Sequence, residues 1–394
     1  MLNRETMEFV AAHRHEETRA LALKAKRLPG VDMQQALTQI EGWQTAREKL
    51  PAWAATEGII YPPRISMEQC SSEATALYKS NIAKGESVAD LTGGFGIDCS
   101  YIARGFRSAT YIERNPLLCG IARENFALLG LDHITVINGD SQELLHSLPS
   151  LDWIFIDPAR RDGDGRKVVA LSDCEPDVTA LEEELLAKAQ RVMVKCSPML
   201  DITAACRQLK HVSAVHIVAV NNECKELLLI LERASNGAGI TTTCTDIRKE
   251  GEQRFTYTAE EGNNSITEYS GSIARYLYEP NAAILKSGCH AILAQRHNIG
   301  KLHPNSQLYT ADHLEKDFPG RTFKVEKVYG FSKAELKEVQ ALEQANITVR
   351  NFPENVAQLR RRLKLAEGGE RYIFATTLSG GEKVLAVCSK AKHV

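Results

Sequence analysis

An α/β fold on a parallel, doubly wound sheet is predicted for the middle of this chain, preceded by a helical region and followed by α+β domains. Three observations predict it. From residue 88 to 220, short β-rich runs alternate strictly with helical patterns, and such alternation builds parallel sheets with helical crossovers. The first run passes directly into a glycine turn, Gly93-Gly94-Phe95-Gly96. The alternation then stops at Asn221-Asn222-Glu223-Cys224, a link too short for a right-handed crossover. It reads as a hairpin, so the last strand, 226–231, runs antiparallel.

Each element has its own signal. Residues 1 to about 70 read as helical. Segment 18–27 is rich in Ala, Leu, Lys and Arg, strong helix formers, and Pro29-Gly30 stops it. Segment 34–50 is a second helix, ending before Pro51. Tyr61-Pro62-Pro63-Arg64 is an extended linker, because a residue before proline avoids the helical region. No strand is expected before Val88. Strands are expected at 88–91, 109–113, 134–138, 153–156, 191–196 and 213–220, and helices at 96–104, 116–129, 141–148, 177–189 and 201–209. Ser235-Asn236-Gly237-Ala238-Gly239 is a linker by composition. Beyond it, 241–248 and 254–260 look like strands, and 274–277 precedes a turn at Glu279-Pro280-Asn281. In the last unit, strands at 322–329 and 347–351 flank a helix at 333–344. A basic helix follows at 355–365. Runs 372–378 and 383–388 flank Ser379-Gly380-Gly381-Glu382, a hairpin signal. The expected domains are 1–70, 71–235, 236–320 and 321–394.

The bulk numbers agree with a chain of several domains. It has 394 residues, 43% hydrophobic and 25% charged, with a formal net charge of -2. That length exceeds one ordinary core, and the charge excludes a wholly basic nucleic-acid-binding chain. Ten cysteines occur without a C-x-x-C pair, a pattern that suits a reducing compartment and offers no zinc ribbon. The charged N-terminus lacks a signal-peptide core, and no apolar run reaches membrane-spanning length. A cytoplasmic protein without a membrane partner is expected. The histidines lack ligand spacing, so no metal is assigned.

The glycine turn points to a nucleotide-type cofactor. Asp90-Leu91-Thr92-Gly93-Gly94-Phe95-Gly96-Ile97-Asp98 joins a strand to a helix. Glu113 ends the second strand, where a carboxylate accepts hydrogen bonds from a ribose diol. Asp140, followed by Ser141, ends the third, where it can reach an adenine amino group. All lie at carboxyl ends of strands, the usual ligand edge of such sheets. A pyrophosphate wants G-x-G-x-x-G at a helix start. The spacing here differs, and Asp90 would repel a phosphate. It suits the cationic methionine end of S-adenosylmethionine (SAM).

These residues carry a resemblance. Residues 66–232 resemble the class I SAM-dependent methyltransferases. Segment 88–98 matches the family's motif I, Glu113 its ribose acid, Asp140 its adenine contact and Asp157-Pro158-Ala159-Arg160 its catalytic loop. Met67-Glu68-Gln69-Cys70-Ser71-Ser72-Glu73 resembles the segment that closes over the methionine in nucleic-acid methyltransferases. The part beyond about 320 resembles the THUMP-like domain fused to such enzymes in Bacteroidetes-type bacteria, and 236–320 a ferredoxin-like α+β unit. The resemblance implies a Rossmann-like, seven-stranded methyltransferase sheet. It implies a cofactor site of Gln69, Ser71, Asp90, Thr92, Gly93, Gly94, Phe95, Gly96, Asp98, Glu113, Asp140, Ser141 and Asp157. It also implies RNA, tRNA or rRNA, as substrate, since THUMP domains elsewhere bind structured RNA. A small molecule or protein acceptor, and an RNA-binding module with a vestigial SAM site, are the rival readings.

The catalytic loop leaves the acceptor open. Amino-group methyltransferases carry Asp/Asn-Pro-Pro and an aromatic that stacks on the extruded base. Here Ala159 and Arg160 stand at the last two places. Uridine C5-methyltransferases instead carry Asp-Pro-x-Arg and a later cysteine, which Cys196 in Val194-Lys195-Cys196-Ser197-Pro198 could supply. Cys196 would add to the pyrimidine ring, Lys195 would lower its thiol pKa, and Glu226, or Glu223, would remove a proton. The opposing reading, a buried core cysteine, is the favoured one. Catalytic candidates are thus Asp157, Pro158, Arg160, Cys196 and Glu226. Arg160, Arg161 and the polar run to Lys167 form a loop beside the site, expected to be mobile. Arg360, Arg361, Arg362, Lys364, Lys333 and Lys337 are candidate phosphate contacts or a solvated helix face.

Overall fold

A computed structural model of the protein describes residues 3–24, 28–160, 170–237 and 239–391, with Lys24 and Arg160 by backbone alone. The expected polar loop after Arg160 lies outside the described residues. By its contacts the chain forms two compact units, 1–213 with 227–238, and 214–226 with 239–394.

The first unit opens with helices α1 (Arg4–His13), α2 (Thr18–Lys24), α3 (Met33–Lys49), α4 (Pro51–Ala55), α5 (Arg64–Gln69) and α6 (Glu73–Ile82). Their starts are specified locally. Asn3, Asp32 and Ser72 each accept a backbone N–H from the first turn of the helix that follows. Pro51, expected only to end α3, also starts α4 at a position where its missing N–H costs nothing. Trp53, Tyr61 and Met67 of this region share one core with Phe95, Ile97 and Tyr101. Gly42 of α3 admits the Tyr61 ring, since a Cβ there would lie 2.3 Å from Tyr61 Cβ.

The sheet follows as expected. Its strands are β1 (Ser87–Asp90), β2 (Ser108–Glu113), β3 (Ile134–Asn138), β4 (Leu151–Ile156), β5 (Ala189–Cys196), β6 (Val212–Val220) and β7 (Glu223–Glu232). The connecting helices are α7 (Ile97–Ile102), α8 (Pro116–Leu128), α9 (Ser141–Leu145), α10 (Val178–Lys188) and α11 (Ile202–Gln208). In the first unit the strand order is β7-β5-β4-β1-β2-β3. All pairs are parallel except β7 against β5. This is a Rossmann-like α/β sheet with a reversed last strand. Asn221 and Asn222 take φ of 50° and 65°, the two left-handed positions of a type I′ hairpin turn.

The second unit departs from the expected domain boundaries. Strand β8 (Thr241–Arg248), assigned above to a small domain beginning at 236, pairs in parallel with β6. Strand β9 (Gly251–Thr258) pairs antiparallel with β8. The four β-branched residues of Thr241-Thr242-Thr243-Cys244-Thr245 suit a sheet, but local pattern cannot say which one. Helix α12 (Ala259–Asn264) packs on β9 and against α14 (His290–His297), and α13 (Ala282–Ser287) packs on β8. A second sheet follows. Its strands are β10 (Tyr276–Pro280), β11 (Gly300–His303), β12 (Ser306–Ala311), β13 (Gly320–Tyr329), β14 (Asn346–Arg350), β15 (Arg371–Thr377) and β16 (Lys383–Lys390). Their order is β11-β12-β10-β13-β16-β15-β14. The expected boundary at 320 therefore falls inside one sheet, because β10 pairs with β13. The expected turn at Glu279-Pro280 is the end of β10. The β15–β16 hairpin forms as its glycine signal predicts. Helices α15 (Lys333–Gln340) and α16 (Val356–Leu363) cover this sheet, burying Val339, Leu359 and Leu363 against Ile347, Ile373 and Leu385.

Candidate active site

Strand β1 delivers Asp90 to the carboxyl edge of the sheet, 2% exposed. One carboxylate oxygen, Oδ1, accepts the Thr92 N–H at 2.9 Å. The other, Oδ2, is buried without a hydrogen-bond partner among the described residues. Burial pushes this acid up to about 8, with Asp98, Asp157 and Glu113 adding repulsion. A buried, half-satisfied carboxylate is a site built for a cationic donor.

The turn after it needs its glycines for separate reasons. Gly94 and Gly96 take φ of +54° and +88°, the left-handed region that glycine enters without steric cost. Gly93 lies against Tyr111, and a Cβ there would sit 2.2 Å from the ring. Tyr111 in turn donates its hydroxyl to Gly94 O at 2.6 Å. Glu113 accepts the Gly94 N–H on Oε2 and the Asn115 N–H on Oε1, each at 2.8 Å. Asp140 caps α9 by accepting the Gln142 N–H at 2.8 Å, and its second oxygen lies 3.7 Å from Arg114. Ser141, which follows it, is buried.

Asp157 follows β4. Its backbone N–H donates to Thr92 Oγ1 at 2.7 Å, and its Oδ2 lies 2.6 Å from Lys195 Nζ. Lys195 also reaches Asp98 Oδ2 at 3.4 Å. Asp98 lies 3.1 Å from the fully buried Lys79 and accepts the Ser71 hydroxyl at 2.7 Å. Burial alone would raise Asp98, but Lys79, Lys195 and Ser71 together bring it below its ordinary value.

Hydrogen bonds thus join Asp90, Thr92 and Asp157 in one set and Gly94 and Glu113 in another, on the two sides of Gly93. The structure ties Ser71 and Asp98 to the same edge through the lysines. Phe95 does not join them. Its ring is buried against Trp53, with centroids 5.0 Å apart, so it anchors the loop from the far side. Gln69 ends α5 and is exposed. Pro158 is half-buried, and Ala159 and Arg160 pair their backbones with Glu175 and Cys174. Lys79 and Trp53 escaped the sequence reading. A lysine on a helix gives no local sign of being buried.

Cys196 sits at the end of β5 with its thiol buried. Burial and then Asp157 push that thiol far above its ordinary value, and the opposing pull of Lys195 is the smallest influence. Lys195, expected to lower that thiol, reaches Asp157 and Asp98 and does not offset the burial. Glu226 is buried on β7. In the basic helix α16, Arg360 donates to Ala345 O and Ala366 O and so belongs to the fold. Arg362 pairs with Glu354. Arg361, Lys364, Lys333 and Lys337 are exposed.

Among the described residues, no group of three or more His, Cys, Asp or Glu could hold a metal ion. No described helix is long and apolar enough to cross a membrane. These residues could hold SAM: Asp90 has a buried oxygen without a hydrogen-bond partner among the described residues, able to take a cation, and the carboxylates of Glu113 and Asp140 stand at or just after the ends of the next two strands. The same acidic set would repel a pyrophosphate.

Comparison with known proteins agrees. The family described as conserved hypothetical protein 95, a SAM-methyltransferase family, matches residues 76–221. A ferredoxin-like domain matches 276–319, and a THUMP domain-like family 320–390. A crystal structure named only as that of a methyltransferase from Porphyromonas gingivalis W83 is 36% identical. It covers 98% of each chain with a TM-score of 0.90. An rRNA methylase from Streptococcus thermophilus is 14% identical over 40% of this chain and 93% of its own, with a TM-score of 0.30. No curated protein sequence matches the chain.

Proposed function

Because the chain belongs to the class I SAM-dependent methyltransferases that carry a C-terminal THUMP-like domain, we propose that it methylates a base in structured RNA, tRNA or rRNA. The observation that carries the RNA part is the THUMP-like segment 320–390 in the same chain as the site. THUMP domains elsewhere bind structured RNA, and Arg361, Lys364, Lys333 and Lys337 give this one exposed cations for phosphates.

SAM supplies an electrophilic methyl group on a sulfonium. The chain's own residues bind and position. In this reading Asp90 receives the cationic methionine end on its vacant oxygen, Glu113 the ribose and Asp140 the adenine. Ser71, through Asp98, steadies the segment that closes over the methionine. Asp157 stands nearest the acceptor, where its carboxylate accepts a hydrogen bond from the base and fixes the attacking atom in line. Such fixing converts a bimolecular encounter into an oriented one and accounts for much of the catalysis in this reaction class.

The test is transfer of label from methyl-tritiated SAM to RNA from cells lacking the gene, with nucleoside mass spectrometry to name the modified base. Label appearing in that RNA and not in RNA from gene-bearing cells is the expected result. Protein that binds SAM yet labels neither pool would overturn the RNA reading.

A further inference from the structure

Lysine ammonium groups are costly to bury unless paired, and two lie beside this site. Lys79 is fully buried on α6, and the Lys195 side chain, at the carboxyl end of β5, is 12% exposed. Lys79 Nζ lies 3.1 Å from Asp98 Oδ1 and donates to Ser71 Oγ at 3.3 Å. Lys195 bridges Asp98, at 3.4 Å, and Asp157, at 2.6 Å. Two ammonium groups thus face two carboxylates, a neutral cluster that runs from the helix after the glycine turn to the acceptor loop. It is a chain of contacts in which one carboxylate, Asp98, is locked from two sides and the other, Asp157, is 39% exposed.

We infer that Lys195 is a positioning residue for methyl transfer: braced by Asp98 and Lys79, it sets the rotation of the Asp157 carboxylate at the acceptor position. The inference rests on reading Asp157 as the group nearest the acceptor. Asp157 has two attachments of different kind. Its backbone N–H is held by Thr92 and its Oδ2 by Lys195. The first fixes where the side chain starts. The second fixes the plane of the carboxylate, and so where the other oxygen lies. A planar acceptor held by only one attachment would sample several rotations, because the terminal torsion of aspartate is broad. Lys195 has three donors and reaches both Asp98 and Asp157 with them, which suits orientation. Asp98, expected above to touch the cofactor, serves in this reading as the brace.

The test uses the full-length protein and RNA from cells lacking the gene. Lys195→Met is expected to slow single-turnover methyl transfer about 10- to 100-fold, the scale of a misplaced reacting group. It is expected to change the SAM dissociation constant less than about threefold, because no SAM contact is removed. Lys195→Arg, which keeps a cation, should recover most of the rate. In an Asp157→Asn background, Lys195→Met should cost less than about twofold, since both act through one carboxylate. An equal loss in both backgrounds, or a Lys195→Met enzyme as fast as the parent, overturns the inference. Should Lys195→Met not fold, the neutral double variant and Lys195→Arg still decide it. Should the parent enzyme bind SAM and label no RNA, the substrate reading fails and amide hydrogen exchange decides Lys195. Faster exchange across residues 155–160 in Lys195→Met then supports the inference, and unchanged exchange rejects it.

Discussion

Asp157 donates its backbone N–H to the Thr92 hydroxyl across 2.7 Å, although 65 residues separate the two in the chain. Thr92 in turn donates its own N–H to Asp90. Asp90 and the start of the loop after β4 are therefore joined through one threonine. Thr92→Val keeps the shape and removes the acceptor. Leaving that N–H unpaired costs on the order of 1 kcal/mol, so a fall of a few degrees in melting temperature is expected, with methyl transfer reduced more than SAM affinity. Thermal melts and equilibrium SAM binding check it. Unchanged turnover would remove Thr92 from the coupling.

Asp90 makes stability depend on pH in an unusual direction. Folding raises its pKa from 3.8 to about 8. The folded state therefore holds a proton that the unfolded chain releases. The stabilising effect is full below 3.8 and is lost as pH rises toward about 8. Asp90→Asn has nothing to lose there. Without SAM, its melting temperature should gain on the parent protein steadily from pH 5 to pH 8. A difference independent of pH would contradict the assignment. The same variant should bind SAM about 10- to 100-fold more weakly, the range for a lost charged hydrogen bond. In the parent protein, SAM binding at pH 7 should release a proton, visible as a buffer-dependent heat.

Phe95 tests the buttress behind the glycine turn. Its ring is 4% exposed and packs against Trp53 and Tyr61. Phe95→Ala should destabilise the protein by about 3–5 kcal/mol, the usual cost of emptying a buried phenylalanine site. SAM affinity should fall with it, since the loop loses its anchor. Urea titrations measure the first and binding isotherms the second. A loss under about 1 kcal/mol would mean that the loop holds its shape without the N-terminal helices.

Cys196 should behave as a core residue. The thiol proton is held by burial and by the nearby Asp157, whereas a nucleophile needs a thiolate. Cys196→Ala is expected to retain methyl transfer and to lose about 1 kcal/mol of stability. The parent enzyme should form no covalent adduct with 5-fluorouridine RNA. An adduct that Cys196→Ala abolishes would restore the uridine C5 reading.

The amino-acid sequence by itself determined the order and kind of the central elements and the cofactor edge. Alternation of pattern, the glycine turn and the Asn221-Asn222 hairpin are local signals, and local backbone preferences answer them directly. Asp90 and Glu113 end strands and Asp140 and Asp157 follow within two residues of one, so their place at the carboxyl edge of the sheet was legible. Only the tertiary structure decided what those residues touch. Lys195 meets Asp98 across 97 positions of chain and Asp157 across 38, and no local pattern marks such a pair. The same holds for Phe95 turning toward Trp53, for β8 joining β6 and for Arg360 serving the backbone while Arg361 stays exposed. A residue's type sets which contacts it can make. Which of them it makes is settled when distant segments pack and every buried charge must find its partner.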